Sequence, residues 1–296
     1  MTDCVDLFDA IQSGSVSRAV VPFENSTNGS VVFTLDLFAD RDNSYPDISV
    51  CGEIYHDVHH CLLGKKSHAA SSDAVKAGTP VAKASNSNGP RSEPLSSIAH
   101  IDRIYSHPQA FGQCELFLQA HLKGKERIDV SSTSKAAELV KADPTGRSCA
   151  ISSKAAAEVN SLDLLGENIE DKSNNTTRFF VLRKGLDQDE IDATGPFAKA
   201  GPHEKSLVSF TVDHKSPGAL AEVLAIFGKY RLNLTSINSR PSRIHPFQYI
   251  FFVEFEGSKL NDPEGRVKGA FEDITNATES WRWLGSWRDE IFISKQ

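Results

Sequence analysis

The 296-residue chain is predicted to be an α/β protein with two domains. From about residue 5 to residue 183, short apolar runs alternate with helix-spaced amphipathic segments, a pattern typical of α/β sheets. Residues 184–204 then combine charged side chains with five glycines and prolines, which is the composition of a linker. Beyond the linker the alternation restarts, so a second domain is predicted over residues 205–290.

The first predicted elements follow from apolar spacing and from breakers. Residues 5–14 place apolar side chains at helical spacing and end at a glycine, which predicts a short helix. Residues 19–22 are a short apolar strand, and a helix is predicted from Gly29 through Phe38. Residues 48–63 contain extended, apolar-rich segments.

The segment 65–97 differs in composition from its neighbours. It is rich in Ser, Ala, Asn, Gly, Pro and Lys and shows little apolar periodicity. Such a segment buries too little apolar area to offset its ordering entropy, so its central part is predicted to be a flexible insertion.

Strand–helix alternation resumes after this insertion. Pro108 begins a predicted helix that runs to about residue 121, because proline is well placed at a helix start. Strands 101–105, 128–130 and 148–151 and helices 134–142 and 153–159 complete the predicted set. This alternation predicts a largely parallel sheet, in which ligands bind at the carboxyl ends of strands.

The second domain shows six elements in a recognisable order. Strands are predicted at 206–213, 232–238, 247–256 and 280–287, and helices at 218–230 and 264–276. This βαββαβ order is that of a ferredoxin-like module.

Composition excludes several classes of protein. The formal net charge of −7 argues against nucleic acid or an anionic membrane as a partner. The sequence contains no signal segment and no apolar run long enough to span a bilayer, so a cytoplasmic location is predicted. The five cysteines are widely spaced, and neither a metal motif nor a nucleotide-binding glycine loop is present; no cofactor is expected.

Three polar clusters follow or flank predicted strands. They occupy residues 22–31 (PFENSTNGSV), 106–114 (SHPQAFGQC) and 174–179 (NNTTRF). Together they resemble the signatures of the prephenate dehydratase family. That resemblance implies a two-lobed, periplasmic-binding-protein-like catalytic domain over residues 1–183, with prephenate as substrate and phenylpyruvate, water and carbon dioxide as products.

The resemblance also implies roles for individual residues. Thr177 would protonate the leaving hydroxyl, and Arg178 would either bind a substrate carboxylate or form a structural ion pair. Asn25 and Gln113 would complete the catalytic set. The substrate-binding residues implied are Glu24, Ser26, Ser106 and Phe179, although Glu24 also suits a helix cap and Phe179 also suits packing.

Two further motifs, at residues 217–221 (PGALA) and 233–241 (NLTSINSRP), resemble those of the ACT regulatory domain fused to this enzyme. In that family the domain binds phenylalanine between subunits, which implies a homodimer or a higher homo-oligomer. The implied effector residues are Gly218, Ala219, Leu220, Asn233, Ser239 and Arg240. Asn238 departs from the motif, where glutamate is usual, and this puts effector identity and affinity in question.

Family members carry a strand, a Gly-Pro-x-Gly-Thr-Phe loop and a helix before the segment that corresponds to residue 3. We therefore expect an N-terminally truncated chain with reduced stability and activity. The insertion at 65–97 indicates a fungal-like enzyme. Arogenate dehydratase and a non-catalytic amino-acid sensor remain the alternative functions.

Overall fold

The computed structural model describes residues 4–66, 89–185 and 203–290. The chain divides into two compact units. The first contains residues up to His56 together with those from Thr176 onwards, and the second contains residues 57–175.

The described elements are, in chain order, α1 (Cys4–Ser13), β1 (Ala19–Asn25), β2 (Gly29–Ser30), α2 (Val32–Ala39), β3 (Ile48–Asp57), β4 (Cys61–Gly64), β5 (Arg103–Ser106), α3 (Pro108–Gln113), α4 (Glu115–His121), β6 (Glu126–Asp129), α5 (Thr133–Ala142), β7 (Ser148–Ser152), α6 (Lys154–Asn160), β8 (Asp163–Gly166), β9 (Thr176–Lys184), β10 (Glu204–Thr211), α7 (Ala219–Lys229), β11 (Leu234–Pro241), β12 (Tyr249–Glu256), α8 (Arg266–Ala277) and β13 (Ser280–Arg288).

An eight-stranded sheet runs through the first unit in the order β11-β12-β10-β13-β3-β9-β1-β2. β1 and β9 are antiparallel, and their register places Asn25 opposite Thr177 and Glu24 opposite Arg178. Beneath these strands the rings of Phe23 and Phe180 stack with centroids 4.0 Å apart. The polar start of β9 is therefore held in register by a buried aromatic core.

The C-terminal part of this sheet has the predicted βαββαβ order, from β10 to β13. Its strands lie in the order β11-β12-β10-β13, and each pairs antiparallel with its neighbour within the module. The helices α7 and α8 pack on one another through buried side chains such as Phe227 and Phe271. The ferredoxin-like prediction for this module is confirmed.

The second unit has a five-stranded sheet in the order β6-β5-β7-β4-β8. Only β6, β5 and β7 are parallel, whereas β4 is antiparallel to both β7 and β8. The prediction of a largely parallel sheet is therefore wrong. Alternation of strands and helices does not record the direction in which the chain enters a sheet, and β4 enters this one opposite to β7.

Two predicted helices also differ from the structure. Gly29 has a φ of +79° and lies in β2, so the tight β1–β2 turn occupies the predicted helix start and α2 begins at Val32. The helix predicted over 108–121 is two helices, broken at Cys114. Strand β8 was not predicted. The centre of the predicted insertion (67–88) and most of the predicted linker (186–202) lie outside the described residues.

Candidate functional site

Asn25 and Thr177 form a hydrogen-bonded pair across adjacent strands. The Asn25 Nδ2 donates to Thr177 Oγ1 at 3.0 Å, and Asn25 Oδ1 accepts from the backbone nitrogens of Thr27 and Asn28, each at 3.0 Å. The Asn25 amide is thus fixed with its nitrogen facing Thr177. Because Thr177 Oγ1 is the acceptor in this bond, its own hydroxyl proton remains for another acceptor, and it donates to no protein atom among the described residues.

Ser26 and Glu24 flank this pair. Ser26 Oγ accepts from the Thr176 backbone nitrogen at 3.0 Å, and the Ser26 nitrogen donates to the Thr176 carbonyl at 2.9 Å. The Glu24 carboxylate lies 3.9 Å from an Arg178 guanidinium nitrogen and is partly exposed. Two of the predicted clusters therefore meet on β1 and β9.

Arg178 is buried in an ion-paired environment. Its Nε lies 3.0 Å from Glu53, its Nη2 bonds Glu254, and its guanidinium lies 4.8 Å from the centroid of the Phe180 ring. Burial alone would lower the pKa of Arg178, but the Glu254 and Glu53 carboxylates outweigh it and raise that pKa. This arrangement is the structural ion pair, one of the two roles predicted for Arg178. To bind Arg178, a substrate carboxylate would have to displace Glu53 or Glu254.

Phe179, the last residue of the TTRF string, is half-buried opposite Pro22. Its neighbour Phe180 is the fully buried ring that enters the core.

Gln113 lies at the end of α3 in the second unit. Its Oε1 lies 2.6 Å from His60 Nε2, so this ring nitrogen is the donor and the Gln113 amide nitrogen is left to donate elsewhere. Ser106, at the end of β5, is fully buried and donates to the Ile151 carbonyl at 2.9 Å. A substrate contact by Ser106 would require this bond to be exchanged.

Sequence reasoning missed Glu170, a buried carboxylate that orders the surroundings of Gln113. It accepts from the His60 backbone nitrogen at 2.9 Å, lies 2.9 Å from Arg91 Nη1 and 3.3 Å from His59 Nδ1. Burial would raise the pKa of Glu170, but the hydrogen bond from the His60 backbone, with those from His59 and Arg91, lowers it. No motif marks this cluster, because Glu170 is more than 75 residues from Arg91 in sequence.

The predicted effector residues fall into two groups. Gly218, with a φ of +91°, precedes α7 and lines a surface pocket of about 460 Å³ together with Ala219 and Leu220. Asn233 donates instead to Glu256 at 3.0 Å, and Ser239 is exposed on β11. Neither of these lines the pocket.

Arg240, the remaining effector candidate, pairs with Asp36 of α2. Its Nε and Nη2 bond the two Asp36 oxygens at 2.8 and 2.9 Å. The hydrogen bond from Arg240 lowers the pKa of Asp36 against a smaller opposing effect of burial. Arg240 therefore joins the C-terminal module to the rest of the first unit.

Within 4–66, 89–185 and 203–290, no three His, Cys, Asp or Glu side chains are grouped as a metal site would need. None of the helices in these ranges combines the length and apolar character needed to cross a membrane.

The fold combines a mixed α/β region, which ends at β9, with a ferredoxin-like module. The chain is therefore an α/β protein with an added C-terminal module. Comparison with family models is specific: the prephenate dehydratase model matches residues 1–186 and the ACT domain model matches residues 206–265. The chain belongs to the prephenate dehydratase family and carries an ACT domain.

Individual relatives agree with this membership. A probable prephenate dehydratase of Saccharomyces cerevisiae is 31% identical over 315 residues, which cover 95% of this chain and 85% of that protein. A bifunctional chorismate mutase/prephenate dehydratase of Aquifex aeolicus is 32% identical over 282 residues. The match covers 95% of this chain but only 64% of the bifunctional protein, so the chain spans less than two thirds of that relative's length.

The fold is also similar to that of a solved structure. The crystal structure of a prephenate dehydratase from Arthrobacter aurescens, in complex with L-Phe, matches with a TM-score of 0.75 and 24% identity. The match covers 100% of this chain and 82% of that one.

Proposed function

We propose that the chain is a prephenate dehydratase that acts in phenylalanine biosynthesis and is inhibited by phenylalanine at its ACT domain. Family membership over residues 1–186 supports the reaction class. The observation that carries the proposal is the Asn25–Thr177 pair, which presents a hydroxyl donor at the start of a rigid strand.

The chemistry fits a site that works by position. As the ring carboxylate departs as carbon dioxide, its bonding electrons enter the ring and expel the hydroxyl group. Thr177 donates a hydrogen bond to this oxygen, which leaves as water once a proton from solvent has been delivered through the threonine. Threonine is a weak acid, so its contribution comes from geometry, with Asn25 holding the oxygen in place.

The remaining predicted residues bind and orient the substrate. Gln113, whose amide direction is set by His60, donates to a substrate oxygen, and Ser26 and Glu24 border the same strand end as Thr177. Arg178, held by Glu53 and Glu254, anchors the strand that carries Thr177.

Turnover of purified protein tests the function. With prephenate as substrate we expect phenylpyruvate to form, measured by its absorbance in alkali, and arogenate to be converted much more slowly. Faster conversion of arogenate would assign the arogenate dehydratase activity instead. Phenylalanine binding without turnover of either acid would indicate an amino-acid sensor.

We place the effector at the pocket beside Gly218, whose flexible backbone allows an amino acid to approach the start of α7. The phenylalanine complex of the Arthrobacter relative supports an effector of this kind. We further propose that the protein is a cytoplasmic homodimer or higher homo-oligomer. β11, which pairs only with β12 in the described part of the chain, carries the exposed Ile237 on the sheet edge.

Gly218→Ala is expected to weaken phenylalanine binding roughly 5- to 30-fold, because the free variant relaxes out of the left-handed conformation and must return to it on binding, at a cost of about 1–2 kcal/mol. A Cβ at Gly218 would meet nothing within 4 Å, so the effect is conformational and not a clash. Gly265→Ala is the matched control: Gly265 also has positive φ (+68°), also precedes a helix and also has open space, but does not line the pocket. Calorimetric titration would contradict the assignment if both variants lost affinity equally.

A further inference from the structure

Four charged side chains form a buried network in the first unit. Glu53 on β3 contacts Arg178 at 3.0 Å and Lys205 on β10 at 3.2 Å, and Glu254 on β12 bonds Arg178 directly. All four residues are at most 8% exposed. The two buried cations face the two buried carboxylates, with Asp289 3.1 Å from Lys205 and Glu24 3.9 Å from Arg178 at the edges of the network, and low surrounding polarity strengthens each contact.

The network connects two regions of different proposed roles. Arg178 is the immediate neighbour of Thr177 on β9, whereas Lys205 and Glu254 belong to strands of the ACT module. Glu254 therefore holds the residue beside the proposed catalytic hydroxyl from within the regulatory part of the chain.

A second contact extends the network to the edge strand. Thr235 on β11 donates from its hydroxyl to the Glu254 Oε1 at 2.6 Å, while the other Glu254 oxygen bonds Arg178. The two oxygens of one carboxylate thus join β11 to β9. Further along β11, Asn238 accepts from Ser30 at 2.5 Å, and Ser30 is paired with Glu24.

We propose that the Thr235–Glu254–Arg178 chain of hydrogen bonds couples effector binding at the ACT module to Thr177, with Glu254 as a positioning residue. This inference rests on the proposed function and names how that site is regulated. The pocket is lined by Tyr249 and Phe251 of β12, which pair with Pro241 and Ser239 of the edge strand β11, so a ligand in the pocket can displace β11 through β12. A shift of about 1 Å breaks the short Thr235–Glu254 bond, and Glu254 then holds Arg178, and with it the start of β9, less firmly.

Thr235→Val tests the coupling with little risk to folding, because valine keeps the shape of threonine and Thr235 is exposed. Because this variant lacks the Thr235–Glu254 bond from the outset, we expect its turnover without effector to fall toward the phenylalanine-inhibited level and its phenylalanine affinity to be no weaker than that of wild type. The factor by which bound phenylalanine lowers kcat/KM should fall roughly 10-fold, the scale of one hydrogen bond to a charged group. Thr235→Ser, which retains the hydroxyl, should keep the wild-type factor.

Glu254→Gln tests the positioning role itself. Loss of the charge should lower kcat about 10-fold with the prephenate KM within about 2-fold, since Arg178 orients the reacting strand and Thr235 can still donate to the glutamine oxygen. A role in stability alone would leave the kcat of the folded protein unchanged. If this variant fails to fold, the comparison of Thr235→Val with Thr235→Ser still tests the proposal.

Hydrogen exchange of residues 176–184 tests the coupling independently of catalytic turnover. Phenylalanine should change the protection of β9 in wild type and in Thr235→Ser, but not in Thr235→Val. If wild type turns over neither acid, the dehydratase assignment fails, and the exchange pattern still tests the coupling. Equal inhibition and equal exchange responses in Thr235→Val and wild type would overturn it, as would wild type that does not bind phenylalanine.

Discussion

Thr177→Val is expected to lower kcat for phenylpyruvate formation by about 10²- to 10⁴-fold, the usual contribution of a positioned proton donor. Valine fills the same volume without a hydroxyl, so the strand and its aromatic core should remain intact. The substrate KM should change less than about 3-fold, because the Thr177 hydroxyl acts on a bond that breaks in the transition state. Stopped assays of phenylpyruvate over a range of prephenate concentrations would measure both constants.

Thr177→Ser provides the matched control, since it keeps the hydroxyl that accepts from Asn25. We expect it to recover most of the activity that Thr177→Val loses. Asn25→Asp would separate donation from position: its carboxylate cannot donate to Thr177 Oγ1, so the hydroxyl would turn toward the acid and away from substrate. A Thr177→Val protein that turned over prephenate at the wild-type rate would remove this residue from the mechanism.

The ACT module was predictable because each of its elements has a local signal. Gly218 before α7 and the apolar run of β12 are visible without knowledge of distant residues. A βαββαβ order also permits few topologies, since connections are short and right-handed. The module's strand order therefore followed from element order alone.

The direction of β4 and the partners of Arg178 could not be predicted in the same way. Arg178 contacts Glu53 and Glu254, which precede and follow it by more than 70 residues, and no spacing rule links them. A weaker signal was available: Glu254 interrupts the apolar run of β12 between two buried residues, Val253 and Phe255. A single carboxylate in such a strand requires a buried cation as partner.

The Asn25–Thr177 pair was partly predictable from the sequence. Its two motifs were both identified, but their contact depends on the antiparallel pairing of β1 with β9, which joins residues 152 positions apart. Gln113 was likewise identified from its motif, but its partner His60, 53 positions away in sequence, was not. Motifs carry residue identity, whereas partners depend on how the strands pair.

Glu53→Gln is expected to lower the free energy of unfolding of the first unit by about 3–5 kcal/mol, because it leaves buried cations with fewer counter-charges. All three tryptophans, Trp281, Trp283 and Trp287, lie on β13 of that unit, so their fluorescence in a urea titration reports on it. Glu264→Gln is the control in the same unit: its pair with Arg266, at 3.0 Å, is exposed and should contribute less than about 1 kcal/mol.

A double variant distinguishes destabilisation by lost counter-charge from destabilisation by lost packing. Glu53 lies 3.0 Å from Arg178 and 3.2 Å from Lys205, so Glu53→Gln leaves these two cations with Glu254 and the partly exposed Asp289. Adding Lys205→Met removes one of the two cations that lose Glu53 as a partner, and the double variant should therefore be less destabilised than the sum of the two single variants. Strictly additive losses would mean that Glu53 stabilises the fold through its volume alone, and the network would then lose its electrostatic role.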